Sequence, residues 1–330
     1  MAAWSERRLI EKIQKASSGS KRGLLKSIGD DCCEVVASGS FLISTDSLVD
    51  GIHFNRLFHP AHLLGRKSVA VNLSDIAAMG GRPRFILLSL CLPVDIQWEW
   101  ISNWLDGVLE ILDEYDCVLI GGDTVQAKEL VLTVTVLGEP LETGAIYRNT
   151  AEVGDTVWVS GPLGSAGCGL KLLMEQLETG KKITSKGADI LLAAHLNPRP
   201  QIELGLQLAG SGMVTAMQDI SDGIATDLAH ICKASVVSAT ILEASLPFSP
   251  ELIPAAATLE TAREDFILRA GEDYELVFTV KHGAETDFRN RLEGYADTLV
   301  KIGEIRSGKG LFLQKDDGTT KEISFQGYEH

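Results

Sequence analysis

The stretch VAVNLSDIAAMGGRP, residues 69–83, constrains this chain more than any other. Val69, Leu73 and Ile76 form an apolar stripe at helical spacing, and the glycine pair and proline that follow predict the end of the helix. Asp75 lies in the middle of this apolar helix, where a carboxylate is costly unless a cation meets it. Because no Lys or Arg shares its stripe, Asp75 predicts a metal ion or a basic partner from elsewhere. Taken alone, a paired or exposed aspartate is the simpler interpretation.

Six other aspartates lie at predicted strand ends and turns, in stretches that contain glycine or hydroxyl residues. They are Asp30, Asp31, Asp46, Asp123, Asp219 and Asp222. The sequence predicts Asp46 and Asp123 at strand ends, and each acid alone fits a cap or a turn. Together with the hydroxyls of Ser44 and Thr45, the set favours a hard ion such as Mg²⁺, which prefers oxygen ligands. Magnesium held by carboxylates is suited to phosphoryl transfer from ATP.

Charge and composition exclude several classes of protein. The 330 residues include 45 acidic and 30 basic side chains, a net charge of -15, and this balance argues against nucleic-acid binding by phosphate neutralisation. No apolar run has the length of a membrane span, and the charged N-terminus lacks the pattern of a signal peptide. The six cysteines form no C-x-x-C pair. A reduced, cytoplasmic protein is expected.

The chain alternates strand-like and helix-like segments, which predicts an α/β (α+β) fold. Its length suggests two domains. Around residues 138–144 the pattern breaks, with Pro140 and two glycines, so we expect an N-terminal domain of residues 1–145 and a C-terminal domain of residues 146–330.

Other catalytic motifs are weak or absent. There is no G-x-x-x-x-G-K-[ST] loop, no G-x-G-x-x-G after a strand, and no nucleophile elbow for a Ser-His-Asp hydrolase. The glycines of residues 161–169 fit a tight entry into a helix equally well. His53, His59 and His62 match no zinc spacing, and we expect His59 and His62 in a surface loop.

The motifs together resemble the thiamine-monophosphate kinase family. The matching stretches are IGDDC (28–32), STDSLVDGIHF (44–54), VAVNLSDIAAMGG (69–81), LIGGDT (119–124), RNTAEVGD (148–155), DISDG (219–223) and GEDYEL (271–276). They cover nearly the whole chain in the family's order. The resemblance implies a two-domain fold like that of aminoimidazole ribonucleotide synthetase, each domain a mixed sheet flanked by helices. Selenophosphate synthetase, a relative, is disfavoured because its N-terminal catalytic motif has no counterpart before Ile28.

The resemblance also implies the activity and the site. It implies ATP-dependent phosphorylation of thiamine monophosphate to thiamine diphosphate by a homodimer formed through the N-terminal domains. The implied ligands of several Mg²⁺ ions are Asp30, Ser44, Thr45, Asp46, Asp75, Asp123, Asp219 and Asp222. The implied nucleotide contacts are Gly122, Asp123, Arg148 and Ser221, and the implied contacts to thiamine monophosphate are His53, Glu272 and Tyr328. Asp31 stays outside this set.

Two of these substrate contacts have simpler interpretations. Glu272 also fits an exposed acid at a strand entry, and Tyr328 also fits a frayed tail. An acid and an aromatic ring do suit the cationic thiazolium of thiamine. Because the acceptor is a phosphate monoester that is ionised near neutral pH, direct in-line transfer needs no strong base. Arg148 and Asp75 are then the residues expected to act in catalysis.

Two alternative functions remain at this point. One is a sister enzyme of the superfamily that uses ATP to activate another substrate, such as a formylglycinamidine or a carbamoyl group. His53 combined with the GEDYEL segment speaks against it. The other is a non-catalytic metal- or nucleotide-binding regulator, and the presence of every motif acid speaks against that.

Overall fold

The computed structural model describes residues 5–16, 23–26, 28, 32–36, 39–183 and 185–327. The chain forms two compact units. The first comprises the described residues up to 76 together with residues 81–140, and the second comprises residues 77–80 and the described residues from 141 onward.

The first unit is built on a four-stranded mixed sheet. Its elements in chain order are α1 (Glu6–Ala16), β1 (Leu24–Lys26), β2 (Glu34–Val35), β3 (Leu42–Val49), α2 (Ala61–Ala78), β4 (Gly81–Pro93), α3 (Trp98–Glu114), β5 (Val118–Ala127) and β6 (Val131–Pro140). The strand order is β3-β6-β4-β5, with β4 and β5 parallel and the other pairs antiparallel. A separate antiparallel pair is formed by β1 and β2.

Helix α2 differs from its sequence prediction in extent. The stripe of Val69, Leu73 and Ile76 is buried as expected, but the helix begins eight residues earlier, at Ala61. The helix ends at Ala78, just before the glycine pair, as the sequence predicts, and Pro83 follows it. Pro83 lies inside β4, next to a break in register with β6, where the missing N–H costs no regular ladder bond.

Two histidine predictions are wrong. His62 lies in α2 and pairs with Glu110 of α3 at 3.0 Å, Nε2 to Oε2. His59 does lie in the loop before α2, but it is buried rather than at the surface. The helix begins at Ala61, before the apolar stripe, and therefore includes His62.

The second unit carries a seven-stranded sheet. Its further elements are β7 (Thr156–Val159), α4 (Ser165–Thr179), α5 (Ala188–Leu196), α6 (Ile202–Ser211), β8 (Val214–Asp219), α7 (Ile224–Ser235), β9 (Ser238–Leu242), α8 (Leu252–Thr258), α9 (Arg263–Arg269), β10 (Leu276–Val280), α10 (Glu285–Arg291), β11 (Val300–Arg306), β12 (Gly310–Gln314) and β13 (Thr320–Glu322). The strand order is β13-β12-β9-β11-β7-β10-β8, and only β9 and β12 are parallel neighbours.

The core of the second unit lies between this sheet and its helices. Val157 and Val159 of β7 are fully buried, as are Ile224 and Leu228 of α7. The observed mixed sheets with flanking helices confirm the predicted α/β class. Within the described residues, no helix combines the length and apolar character needed to cross a bilayer.

Candidate active site

In the first unit, helix α2 places its polar side chains over the edge strand β3. Ser44 Oγ donates a hydrogen bond to Asp75 Oδ2 at 2.5 Å. One turn earlier on the helix, Asn72 Oδ1 accepts the backbone N–H of Asp46 at 3.0 Å. Asn72 is itself held by a bond from its Nδ2 to the carbonyl of Ser68, 3.1 Å away. The sequence therefore brings Ser44, Asp46 and Asp75 together, as predicted from the motifs.

Three effects act on the pKa of the Asp46 carboxyl. Desolvation by the surrounding chain raises its pKa, while a side-chain hydrogen bond with Asp75 and the charge of His53 lower it. The backbone N–H of Val49 donates to Nδ1 of His53 at 3.1 Å, which orients the ring. Two carboxyls this close repel each other when both are ionised, and a cation between them would relieve that repulsion.

Thr45 lies on the other face of β3. Its hydroxyl donates to the carbonyl of Val134 at 3.1 Å and lies 2.9 Å from the hydroxyl of Thr135. Because side chains alternate along a strand, the Thr45 hydroxyl is not brought together with those of Ser44 and Asp75.

Asp46 and Asp123 lie inside strands, not at strand ends as predicted. Asp46 of β3 lies opposite Val134 of β6. In the same row, Val134 lies opposite Leu88 of β4, and Leu88 lies opposite Gly122 of β5. Asp123 therefore belongs to the neighbouring row of the edge strand β5, three strand spacings or roughly 14 Å from β3. Within this one sheet, the fold does not bring the two aspartates together.

Gly122 is required by its surroundings. Its φ is +154°, and a Cβ there would lie 1.8 Å from the carbonyl oxygen of Leu88. The β5 backbone thus runs against β4 at this point and leaves Gly122 exposed. An exposed glycine beside an aspartate is a backbone that a phosphate can approach closely.

In the second unit, two motif segments are bonded to each other. Asp219 is the last residue of β8, and Asp222 lies in the turn before α7. The backbone N–H groups of Glu272 and Tyr274 donate to the carbonyls of Ser221 and Ile220, at 2.8 and 2.9 Å. The DISDG and GEDYEL segments therefore form one continuous surface.

Both segments depend on unusual backbone conformations. Glu272 and Tyr274 have positive φ angles of 67° and 51°, which are strained for non-glycine residues. A Cβ on Gly271 would lie 2.1 Å from the carbonyl oxygen of Ser221, so only glycine fits there. Such strain is typical of functional sites.

Glu272 is not an exposed acid at the entry to a strand, which was its simpler interpretation from the sequence. Its Oε2 lies 2.9 Å from Nδ1 of His195, which belongs to α5. Its neighbour Asp273 accepts the N–H groups of Gly164 and Ala166, at 2.7 and 3.2 Å, and so occupies the N-terminus of α4. The acids of GEDYEL thus have different structural partners.

Two carboxyls of this segment have raised pKa values. Burial raises the pKa of Asp273 to about 7, against the lowering effect of its two backbone hydrogen bonds. Burial also raises the pKa of Glu275 to about 7, and a hydrogen bond from Ser160 lowers it in part.

Asp227 is a site residue that sequence reasoning missed. It is fully buried in the first turn of α7 and accepts the N–H of Asp222 at 3.0 Å and the amide of Gln218 at 2.8 Å. Burial, followed by the charge of Asp219, raises its pKa to about 8. Its acidic residue type at a buried helical position was the available signal. His195 and Asn72 were missed because nothing local marks a buried polar residue as a partner.

Arg148 lies in the same unit near the DISDG turn. The carbonyl of Arg148 accepts the hydroxyl of Ser235 at 3.0 Å, which fixes its backbone. Burial lowers the pKa of His230 on α7, the charge of Arg148 adds to this, and the charge of Asp222 opposes it. Arg148 and Asp222 are therefore both electrostatic neighbours of His230.

Three predicted residues, Asp30, Asp31 and Tyr328, lie outside the described residues. Gly327 directly precedes Tyr328. Its N–H donates to Thr226 Oγ1 at 2.9 Å, and a Cβ on it would lie 2.2 Å from the carbonyl oxygen of Asp222. The described end of the chain is thus held against the DISDG turn.

The donors in both units suit a hard cation. In the part of the chain that the structure describes, no three His, Cys, Asp or Glu side chains lie close enough to hold a metal by themselves. The groups that do meet in the first unit, Ser44, Asp46 and Asp75, offer only oxygen. This donor set fits Mg²⁺ and does not favour zinc or copper.

Comparison with known proteins agrees with this geometry. The AIR synthase related protein family matches with its N-terminal domain over residues 29–139 and with its C-terminal domain over residues 152–316. Thiamine-monophosphate kinase from Haemophilus influenzae is 36% identical over 309 residues, which cover 92% of this chain and 91% of that protein. The chain belongs to the thiamine-monophosphate kinase family. The resemblance seen in the motifs is thereby confirmed.

Solved structures of the thiamine-monophosphate kinase family share the fold over almost the full length. The enzyme from Stenotrophomonas maltophilia is 34% identical with a TM-score of 0.81, covering 98% of this chain and 99% of its own. AaThiL complexed with AMPPCP and TMP is 31% identical with a TM-score of 0.76, covering 97% of this chain and 95% of its own.

Proposed function

We infer that this chain transfers a phosphoryl group from ATP to thiamine monophosphate and so produces thiamine diphosphate. The observation that carries this conclusion is the identity of 36% over 92% of the chain with a thiamine-monophosphate kinase. The binding of AMPPCP and TMP by AaThiL, a relative with the same fold, supports it. The reaction is the last step in making the diphosphate.

We propose that several Mg²⁺ ions are held by oxygen ligands. The family resemblance implies Asp30, Ser44, Thr45, Asp46, Asp75, Asp123, Asp219 and Asp222 as these ligands, and Ser44, Asp46 and Asp75 are the three that the first unit brings together. Bound magnesium would offset the negative charge of the phosphate oxygens. The bond from Ser44 to Asp75 and the bond from the Asp46 backbone N–H to Asn72 support this assignment, because they hold the Asp75 carboxylate and the Asp46 backbone in place before any ligand arrives.

The remaining residues would bind the two substrates. Gly122, Asp123, Arg148 and Ser221 are proposed to contact ATP, and His53, Glu272 and Tyr328 to contact thiamine monophosphate. The close backbone approach at Gly122 and the partly exposed Glu272 carboxylate support these roles. Arg148 offers a positive charge for the transferred group.

The chemistry needs little from the protein beyond positioning. A phosphate monoester loses its second proton near pH 6, so its oxygen is already a nucleophile at neutral pH. The chain therefore has to hold the two phosphates in line and neutralise their charge. Asp75 contributes by holding its carboxylate rigidly on a buried helix, and Arg148 by its fixed backbone.

A turnover assay tests this function. Purified protein is incubated with ATP, MgCl₂ and thiamine monophosphate, and thiamine diphosphate and ADP are measured. We expect equal amounts of both products, and none when EDTA exceeds the magnesium. Folded protein that forms no thiamine diphosphate in the presence of Mg²⁺ would refute the assignment.

Asp75→Asn tests the magnesium ligands. Removal of this charge should lower kcat at least about 100-fold, since a direct metal ligand is lost. The control is Asp113→Asn, which removes the same charge from an exposed position on α3 and should leave kcat unchanged. Near-normal activity of Asp75→Asn would contradict the metal assignment.

We further propose a cytoplasmic homodimer formed through the N-terminal domain, residues 1–145. The face of the four-stranded sheet that carries Thr45 and Thr135 also carries Ile43, which is 67% exposed. Val125 of the edge strand β5 is 45% exposed. Exposed aliphatic side chains on a sheet face support burial against a second copy.

A further inference from the structure

We propose that His195 is a positioning residue that orients the carboxylate of Glu272 toward the cationic ring of thiamine monophosphate. This inference rests on the proposed function, because Glu272 is the acid assigned to that substrate. The observation behind it is the contact of 2.9 Å between His195 Nδ1 and Glu272 Oε2.

The two side chains differ in their exposure. The side chain of His195 is 0% exposed, whereas that of Glu272 is 24% exposed. The imidazole therefore contacts the carboxylate from the protein interior, and the Glu272 side chain keeps part of its surface accessible. Such partial exposure suits an acid that binds a ligand on its outer side while a buried residue, here His195, contacts its inner side.

Helix α5 holds His195 in a fixed position. Leu191, one turn before His195, lies against helix α4, where a Cβ on Gly169 would be 2.0 Å from the Leu191 carbonyl oxygen. The two helices therefore meet backbone to backbone. A glycine contact this close leaves little freedom for α5 to shift, so the imidazole is rigidly placed.

The backbone of Glu272 is fixed independently. Its N–H donates to the carbonyl of Ser221 at 2.8 Å, and its φ of 67° is maintained by the bonded DISDG segment. A glutamate side chain has three rotatable bonds beyond this backbone, and ordering them costs conformational entropy. His195 supplies the contact that orders the outer end of the side chain before the substrate binds, which is preorganisation.

The hydrogen bond keeps the carboxylate suitable for a cation. Nδ1–H of a neutral imidazole donates to Oε2, which fixes the plane of the carboxylate and leaves its negative charge in place. The thiazolium of thiamine is a delocalised cation, so its attraction depends on the direction and distance of that charge. Loss of the histidine should therefore weaken the binding of thiamine monophosphate and leave the binding of ATP unaffected.

Three substitutions at His195 separate positioning from packing. Asn places an amide donor near the Nδ1 position of histidine, Gln places it near the Nε2 position, and Leu retains volume without a donor. We expect His195→Gln and His195→Leu to raise KM for thiamine monophosphate about tenfold, because one hydrogen bond to a charged group is lost. His195→Asn should stay within about threefold of wild type, and KM for ATP should not change in any variant.

A double-mutant cycle with Glu272→Gln tests whether His195 acts through Glu272. Glu272→Gln should raise KM for thiamine monophosphate, and His195→Leu added to it should have little further effect. Equal KM values in wild type, His195→Gln and His195→Leu would overturn the inference, as would additive effects or an equal rise in KM for ATP.

The same measurements separate this inference from the proposed function. If wild type converts thiamine monophosphate and Glu272→Gln raises its KM while the His195 variants do not, only the positioning role fails. If wild type does not convert thiamine monophosphate, the proposed function fails. Should His195→Leu not fold, the comparison of His195→Asn with His195→Gln decides the question alone, with thermal unfolding as the check on the fold.

Discussion

Glu275 is a carboxylic acid that the fold keeps partly protonated at neutral pH. Its pKa is raised to about 7 by burial, and an unfolded glutamate titrates near 4.5. Between these two values the folded state binds more protons than the unfolded state. The free energy of unfolding therefore decreases as the pH rises from about 4.5 to 7, and this loss is complete above 7. Asp273, with a pKa raised to about 7, adds a loss of the same sign.

Glu275→Gln should remove one source of this pH dependence. The amide oxygen can still accept the Ser160 hydroxyl, and no charge has to be buried. At pH 8 we expect the variant to be more stable than wild type by roughly 1–3 kcal/mol, with a small difference at pH 4.5. Urea unfolding across this range measures it. Glu178→Gln, an exposed position on α4, is the control, and equal pH slopes for wild type and Glu275→Gln would refute the prediction.

At the scale of elements, the backbones of helices α2 and α3 approach each other closely at two glycines. A Cβ on Gly65 would lie 2.0 Å from the carbonyl oxygen of Trp104, and one on Gly107 would lie 1.9 Å from that of His62. Both glycines are therefore contact points between two backbones. Because α2 carries Asn72 and Asp75, this crossing also sets the height of those side chains over β3.

Gly107→Ala should separate the two helices. The added methyl has only backbone to contact, so the helices must move apart, and we expect a loss of about 2–4 kcal/mol in the free energy of unfolding. Gly210→Ala is the matched control. It lies in α6, where the nearest atom to its Cβ would be 3.8 Å away. Alanine should be neutral or stabilising there. Equal stability of the two variants would contradict this account of the crossing.

The sequence predicted the kinds of elements better than their ends. Helix α2 followed from its apolar stripe, because period and burial agree there. The ends of β3 and β5 did not follow, since polar residues such as Asp46 and Asp123 continue the strands at the two sheet edges. Backbone pairing to a neighbouring strand extends them, and pairing between distant segments has no local signal.

For the whole molecule, the exposed side chains on one face of the four-stranded sheet are the basis of the proposed dimer. A polar row crosses this face through Ser47, Thr133, Ser89 and Asp123. Ser47 and Thr133 already bond to each other at 2.7 Å, hydroxyl to hydroxyl. The exposed aliphatic side chain of Ile43 lies on the same face, beyond the row of Thr45 and Thr135.

Ile43→Arg should disrupt the proposed dimer. A charge on this face cannot be buried against a second copy without a partner. We expect wild type to sediment as a dimer of the 35.6 kDa chain and Ile43→Arg to shift toward monomer. Asn103→Arg, an exposed position on α3, should remain dimeric. A monomeric wild type would remove the basis for the dimer.

The order of motifs along the chain was enough to predict the family and the two-domain organisation of its fold. The partners of individual site residues were not predictable in the same way. His195 and Glu272 are 77 positions apart in the numbering, and only the folded second unit brings them within 2.9 Å. Contacts of this kind depend on tertiary packing, which one sequence does not encode in any local pattern.

The position of β7 in its sheet has a consequence for biosynthesis. β7 is the first strand of the second unit to leave the ribosome, but it pairs only with β10 and β11, which follow more than 100 residues later. The N-terminus of α4 likewise lacks its hydrogen-bond acceptor until Asp273 has been made. The strands of the first unit's sheet are all present once residue 140 has been made. A nascent chain would therefore expose β7 as an unpaired apolar strand until β10 has been made, and premature termination before β10 would leave an edge that favours aggregation.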